Sequence, residues 1–231
     1  MNLSGIQKQV VRTCGEYGLL PPGSRVVCGV SGGKDSMALV TVLASLQDRL
    51  SFELTAAVYI TGSYDLIPEP LPAPTAEYLS SLGVRLTQRP ITCEAEAAPL
   101  SCYRCAALRR KALLEAARDE GASVLAVAHT ADDAAETALL ELLSKGTWSA
   151  LAPKRDYFGA VTLVRPLIGV EGKAVEAYAA RRRIPLAASR CPLALTSRRA
   201  AARDLLRECR SRFPDAAENL LKAVNRYKYE E

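Results

Sequence analysis

The sequence predicts an α/β fold: a parallel sheet with helices on both faces and a helical extension at the C-terminus. Short apolar, β-rich runs alternate with longer segments of helical pattern, which is the order of βαβ units. Parallel sheets built from such units are buried on both faces. The 231 residues, 49% hydrophobic and 24% charged, suffice for one large globular domain with a substantial core.

Each element follows from local sequence. Ile6 to Tyr17 reads as an amphipathic helix, stopped by Gly18 and Pro21-Pro22. Arg25 to Val30 is a buried strand, and Met37 to Leu46 is the helix after it. Leu54 to Ile60, with its run Thr-Ala-Ala-Val-Tyr-Ile, is a second strand. Ile67 to Pro74 holds four prolines and is expected to be an irregular loop near the site. Thr75 to Leu82 is a helix and Val84 to Gln88 a short strand. Cys105 to Glu120 is a helix that stops at Gly121. Ser123 to Ala128 is a buried strand, followed by a helix from Asp132 to Leu143. Val161 to Val164 is a strand before Arg165-Pro166, and Lys173 to Arg182 a helix. Two more helices, Ser197 to Arg212 and Ala216 to Tyr227, are divided at Phe213-Pro214. Ligands of parallel sheets bind at the carboxyl ends of the strands, where Ser31, Tyr59 and His129 all fall.

The segment Cys28-Gly-Val-Ser-Gly-Gly-Lys-Asp-Ser36 joins the first strand to its helix. Gly32 and Gly33 let backbone approach an anion without Cβ clash. The first N–H groups of the helix are unpaired and point at such a ligand, with the helix dipole behind them. Lys34 adds a mobile positive charge, and Ser31 and Ser36 add hydroxyls. The spacing is not that of the Walker loop.

Cys102-Tyr-Arg-Cys105 is a C-x-x-C placed just before a helix, and Cys191 is a third candidate ligand. Such a pair serves a metal or a disulfide. No second C-x-x-C and no histidine pair completes a zinc site. Three thiolates fall one short of the four that an iron–sulfur cluster ordinarily takes, which leaves one iron open. Cys14, Cys28 and Cys209 sit in apolar contexts and are expected in the core, while Cys93 has no assigned role. No apolar run reaches transmembrane length, and Met1 to Gln9 lacks the apolar core of a signal peptide. A cytoplasmic protein with reduced cysteines is expected. Net charge is +5. The arginines cluster at Arg109-Arg-Lys111, Arg181-Arg-Arg183 and Arg198-Arg199, then continue through Arg203, Arg207, Arg210 and Arg212. Such clusters suit a polyanionic partner or form solvated helix faces.

Together these residues resemble the ATP-pyrophosphatase (PP-loop) superfamily. The similarity is greatest to its tRNA 2-thiocytidine synthetase group, then to the 2-thiouridine synthetases. The matching pieces are Ser31 to Ser36, Cys102-x-x-Cys105 with Arg109-Arg110, and Ala128-His-Thr-Ala-Asp-Asp-Ala-Ala-Glu-Thr137. Pro153-Lys154, Arg165-Pro-Leu167, Ile184-Pro185, Cys191-Pro192 and the Arg198 to Pro214 helix match as well. The resemblance implies a Rossmann-like, adenine nucleotide alpha hydrolase-like fold in a single domain, 1–231. Residues 1–22 are its N-terminal helix, 23–170 its nucleotide-binding core and 171–231 its helical extension.

The resemblance also implies that ATP is cut to AMP and pyrophosphate at the loop. Ser31, Gly32, Gly33, Lys34, Asp35 and Ser36 hold its phosphates, and the backbone of Val58, Tyr59 and Ile60 holds adenine. His129, Asp133 and Arg165 add ATP contacts. Asp35 and Asp133 lie near Mg²⁺, and Arg109 faces the phosphates or the activated intermediate. Lys34, Asp35, Asp133 and Arg109 are thereby the implied catalytic residues. Cys102, Cys105 and Cys191 carry a [4Fe-4S] cluster whose fourth iron can hold sulfide. The implied partners are tRNA, a second copy of the chain, and a sulfur donor, which is a cysteine desulfurase, a carrier protein or free sulfide. The terminal zinc-binding cysteines of the 2-thiouridine group are absent, and Thr61 to Pro70 departs from the family's usual text. The acceptor therefore stays open between a tRNA base and a small molecule, with ammonia as an alternative to sulfide. A non-catalytic ATP- or redox-sensing module is the third reading.

Overall fold

The structure, a computed structural model, describes residues 3–63, 65–67, 69–91, 99–188 and 191–227, with side chains to 224. Its strands are β1 (Arg25–Val30), β2 (Glu53–Thr61), β3 (Leu86–Pro90), β4 (Val124–Ala126), β5 (Lys154–Tyr157) and β6 (Val161–Val164). They form one sheet in the order β3-β2-β1-β4-β6-β5. All neighbours are parallel except β5, which runs antiparallel to β6. The chain leaves β1 toward β2 and β3 on one side and reaches β4 and β6 on the other. The carboxyl ends of β1 and β4 therefore flank the crevice where ligands of such sheets bind.

The period of two along β1 sorts its residues between two cores. Val26, Cys28 and Val30 point to one face, where they meet α1 (Gly5–Tyr17), α2 (Lys34–Leu50), α3 (Ala73–Ser81) and α6 (Gly172–Arg181). Val27 points to the other, with Ala56, Val58, Ile60, Leu125 and Leu163, under α4 (Cys102–Asp119). The core face of α4 is built from Ala112, Ala116 and Ala117, which let the helix lie close to the strands. A third layer forms where α7 (Arg198–Arg212) and α8 (Ala216–Tyr227) dock on α5 (Ala131–Lys145) through Leu206, Ala217 and Ala135. Among the described residues no helix is long and apolar enough to cross a membrane.

Several sequence expectations need correction. The proline-rich stretch is not irregular to its end, since α3 begins at Ala73 with Pro72 as its N-cap and Pro74 in its first turn. A proline there sacrifices no helical hydrogen bond. The sheet is not wholly parallel. Lys154-Arg-Asp-Tyr157 has no apolar alternation and is largely exposed, yet β6 recruits it as an edge strand. Charged residues are at home on an edge, where one side of the ladder faces water. α4 opens at Cys102, three residues before the expected start, because Ser101 caps it by accepting from Arg104 N–H at 3.3 Å. Cys14 and Cys28 are buried as expected, but Cys209 is only half-buried. Cys93 lies outside the described residues.

Leu206 is the large side chain fully buried between α5, α7 and α8. Leu206→Ala should cost about 2–4 kcal/mol in urea unfolding. Hydrogen exchange should rise first in α7 and α8, with β1 and β2 unaffected.

Candidate active site

The loop after β1 is shaped by its own hydroxyls. Ser36 Oγ accepts from the Ser31 N–H at 3.0 Å, lies 3.0 Å from Ser31 Oγ, and donates to the Gly33 carbonyl at 3.0 Å. Gly33 is the N-cap of α2 and has no side chain to cap with, so the first amides of α2 stay available to an anion. Gly32 is constrained most. Its φ is +78°, and a Cβ there would stand 2.6 Å from Ala187 Cβ and 3.1 Å from Leu71 Cδ1. Its carbonyl accepts from the Ala187 N–H at 2.9 Å. The segment after α6 thus lies directly against the loop.

A cleft of ≈740 Å³ opens beside the loop, between α2, α5 and α7, and is lined by Lys34, Asp35, Asp132, Asp133, Arg203 and Arg210 among others. Lys34 Nζ pairs with Asp35 Oδ1 at 2.7 Å, with both side chains about one-third exposed. A pair this wet is worth about 0–1 kcal/mol, so Lys34 can leave it for a phosphate at little cost. Burial pushes the Asp35 carboxyl up, helped by the charges of Asp133 and Asp132 and opposed by Lys34. A cation near Asp35 would relieve that crowding of acids.

The two aspartates at the start of α5 have separate tasks. Asp133 closes a capping box: its Oδ2 accepts from the Thr130 N–H at 2.8 Å and from Thr130 Oγ1 at 3.0 Å. Asp132 accepts from the Gly172 N–H and pairs with Arg210. Burial alone would raise its pKa, but these two partners hold it below the usual carboxylate range. Arg203 pairs with the buried Glu136 at 2.9 Å, and Arg199 donates to Thr137 Oγ1 at 3.1 Å. Glu136 and Arg210 were not assigned to the site from sequence, where Asp132 competes with Asp133 for both the cap and the magnesium role. The N3 position of the capping box, three residues after Thr130, would have assigned the cap to Asp133 and freed Asp132 for the cleft.

The thiols of Cys102 and Cys191 both act electrostatically on Cys105. Cys102 is exposed, and Cys105 and Cys191 are half-buried. Burial pushes the Cys105 thiol up; Arg109 pulls it down, and the neighbouring sulfurs of Cys191 and Cys102 raise it further. The three cysteines therefore share one electrostatic neighbourhood. Among the described residues no three His, Cys, Asp or Glu side chains converge tightly enough for one metal ion. A four-iron cube is wider than one ion and spreads its ligands further apart, and an all-thiolate donor set suits it. Arg109 donates to the carbonyls of Ile60 (3.3 Å) and Gly62 (3.1 Å). It is held between the cysteine helix and the end of β2. The side chains of Val58 and Ile60 are in the core, so a ligand can meet these two residues only through backbone. His129 Nδ1 accepts from Arg165 Nε at 3.3 Å, which puts the imidazole proton on Nε2. Burial and the charge of Arg165 lower its pKa to about 4.

The model of the PP-loop domain family matches residues 4–206. The chain belongs to the PP-loop family. A tRNA-cytidine(32) 2-sulfurtransferase of Shewanella pealeana is 31% identical over 230 residues, covering 95% of this chain and 72% of that protein. The protein of the same description from Geobacter metallireducens is 30% identical over 226 residues, covering 95% and 88%. Among solved structures, the U34-tRNA thiolase NcsA from Methanococcus maripaludis, with its [4Fe-4S] cluster, superposes with a TM-score of 0.79. It covers 96% of this chain and 78% of that one at 19% identity, a likeness of fold.

The PP-loop itself can be tested by contrast. Gly32→Ala should destabilise the protein by about 2–4 kcal/mol through left-handed strain and overpacking. Gly33→Ala, at φ −74° with only Ser31 Oγ at 3.4 Å, should unfold within about 1 kcal/mol of wild type. His129 gives the PP-loop protein an acid-side pH dependence. Between its ordinary 6.5 and the folded value of about 4, the unfolded imidazole takes up a proton that the folded one refuses. Stability from this group is complete above pH 6.5 and is lost as pH falls toward 4. His129→Gln should make the fall in Tm across that window shallower than in wild type.

Proposed function

We propose that this PP-loop protein is an ATP-dependent tRNA sulfurtransferase. In this reading it adenylates a nucleobase carbonyl and replaces the oxygen with sulfur, and the whole chain, 1–231, works as one unit. The observation that carries the reading is the Ala187 N–H bond to the Gly32 carbonyl. Ala187 lies four residues before Cys191, so the segment that carries the third thiol also bonds to the phosphate loop. The descriptions of the curated relatives support tRNA as the acceptor.

The loop amides and Lys34 bind the β,γ-phosphates, and charge developing on the departing pyrophosphate is stabilised there. Asp35 and Asp133, the latter through the Oδ1 that its capping box does not use, are the carboxylates that would hold Mg²⁺, which would add Lewis-acid stabilisation. The backbone at Val58, Tyr59 and Ile60 lies under adenine, with Arg165 and neutral His129 as further ATP contacts. Adenylation converts the base oxygen, a poor leaving group, into the oxygen of AMP, a good one. Cys102, Cys105 and Cys191 would hold a [4Fe-4S] cluster, a fit supported by the shared neighbourhood of the three thiols. When bound, such a cluster supplies one iron without a protein ligand, at which sulfide can be held. Arg109 favours the thiolate of Cys105 and orients groups between the cysteines and β2. Sulfur arrives from a desulfurase, a carrier protein or free sulfide.

The reading is tested by nucleoside mass spectrometry of tRNA from a strain lacking the protein. One thionucleoside should vanish and return with wild type, but with neither Lys34→Ala nor Cys191→Ser. Purified anaerobically, Cys191→Ser should keep ATP binding and lose most of its iron. An unchanged thionucleoside profile, with redundancy excluded, refutes tRNA as the acceptor.

A further inference from the structure

Away from the cleft, a groove of ≈470 Å³ runs between α4 and the β5–β6 hairpin. Its floor is apolar, from Ala107, Leu114 and Val161. Its rim carries Arg110, Lys111 and Arg118, with Glu115 as the one acidic lining residue. Residues 107, 110, 111, 114 and 118 share one face of α4, at the helical spacing of three and four. The opposite wall is the hairpin tip, where Arg155 stacks over Tyr157 at 5.5 Å.

The tip is built against its own conformational preference. Ala160 N–H donates to the Tyr157 carbonyl at 3.1 Å, and the two central residues, Phe158 and Gly159, have φ of +60° and +67°. Two positive φ values mark a type I′ turn, whose first central position favours Asn, Asp or Gly. A phenylalanine occupies it instead, and the residue is 99% exposed. A bulky residue at positive φ, wholly in water, satisfies neither local conformation nor burial. An outlier of this kind points to a contact made outside the chain.

We propose that this groove docks unpaired nucleotides of the RNA substrate, with a base stacked on Phe158 and the phosphates beside Arg110, Lys111 and Arg118. Aromatic faces interleaved with cations are what single-stranded nucleic acid requires. A second copy of the chain fits less well, because a two-fold interface would bring the same cations face to face. The groove also leads toward the chemistry. It begins on α4 at Ala107, two residues after Cys105, and the charge of Arg110 reaches His129 and Arg165 at the ends of β4 and β6. The inference rests on the tRNA reading and adds where the RNA lies.

The test is Phe158→Asn, with Lys111→Ala and Arg118→Ala, in the full-length protein. Fluorescence anisotropy with unmodified tRNA, across a salt series, reads Kd and its salt slope. Phe158→Asn should weaken tRNA binding about tenfold with little change in salt slope. The same variant should raise Tm by a few degrees, because Asn suits the turn. Lys111→Ala and Arg118→Ala should each lower the salt slope by about one. ATP binding should stay unchanged in all three. A gain in stability with a loss of RNA affinity is a pair of signs that a structural role does not give. Equal tRNA affinity in wild type and Phe158→Asn overturns the assignment and leaves the functional reading intact. Wild type that binds no tRNA overturns both. Unchanged tRNA affinity with a shift from dimer to monomer in sedimentation gives the groove to a second copy.

Discussion

One backbone contact organises the functional end of this molecule: the Ala187 amide on the Gly32 carbonyl. The close approach behind it exists only because residue 32 has no Cβ. Through it the chain beyond α6 is laid across the loop after β1, and Cys191 is delivered to the side of the sheet where α4 starts. The phosphate loop, the cysteine helix and the third thiol come from segments far apart in sequence. A single glycine with positive φ lets them meet. The contact is as much about fold as about ligand, so anion binding alone does not account for this glycine.

Electrostatics divide the strand ends into two territories. Around α5 the acids outnumber their immediate needs, and each has an assignment: Asp133 to the cap, Asp132 to Gly172 and Arg210, Glu136 to Arg203. These bonds hold α6 and α7 against α5 and so fix the cleft walls. Among the described residues the side chains of Lys34 and Asp35 pair only with each other, in partial contact with water. A cleft with fixed walls and a weakly held lysine can trade that pair for phosphate contacts without repacking. On the other side, Arg109 is braced by two carbonyls and the thiols feel one another through space.

Much of this was legible in the sequence, and the limits have physical reasons. The β1–loop–α2 unit could be read because apolar run, glycines and helix pattern are all local. Val161–Val164 was found with its observed bounds. β5 was not, because an exposed edge strand of charged residues carries no burial pattern and is specified by its partner. The role of Pro74 was misread because the rule against proline in helices does not apply to the first turn. The task of Asp132 depends on Gly172 and Arg210, contacts 40 and 78 residues distant. No local pattern announces those. Gly32 was singled out correctly, while the methyl of Ala187 pressing on it was invisible before folding.

Burial also sorts the cysteines by reactivity. Cys14 and Cys28 have thiol pKa values pushed up to about 12 by burial alone. At neutral pH the thiolate is then on the order of one molecule in 10⁵, and thiolate is the form that reacts with electrophiles and oxidants. Cys102 stands exposed in the first turn of α4. The fold thus makes its own chemical labelling scheme, in which two sulfurs are silent. An alkylating reagent that finds Cys102 reports on whether something already holds it.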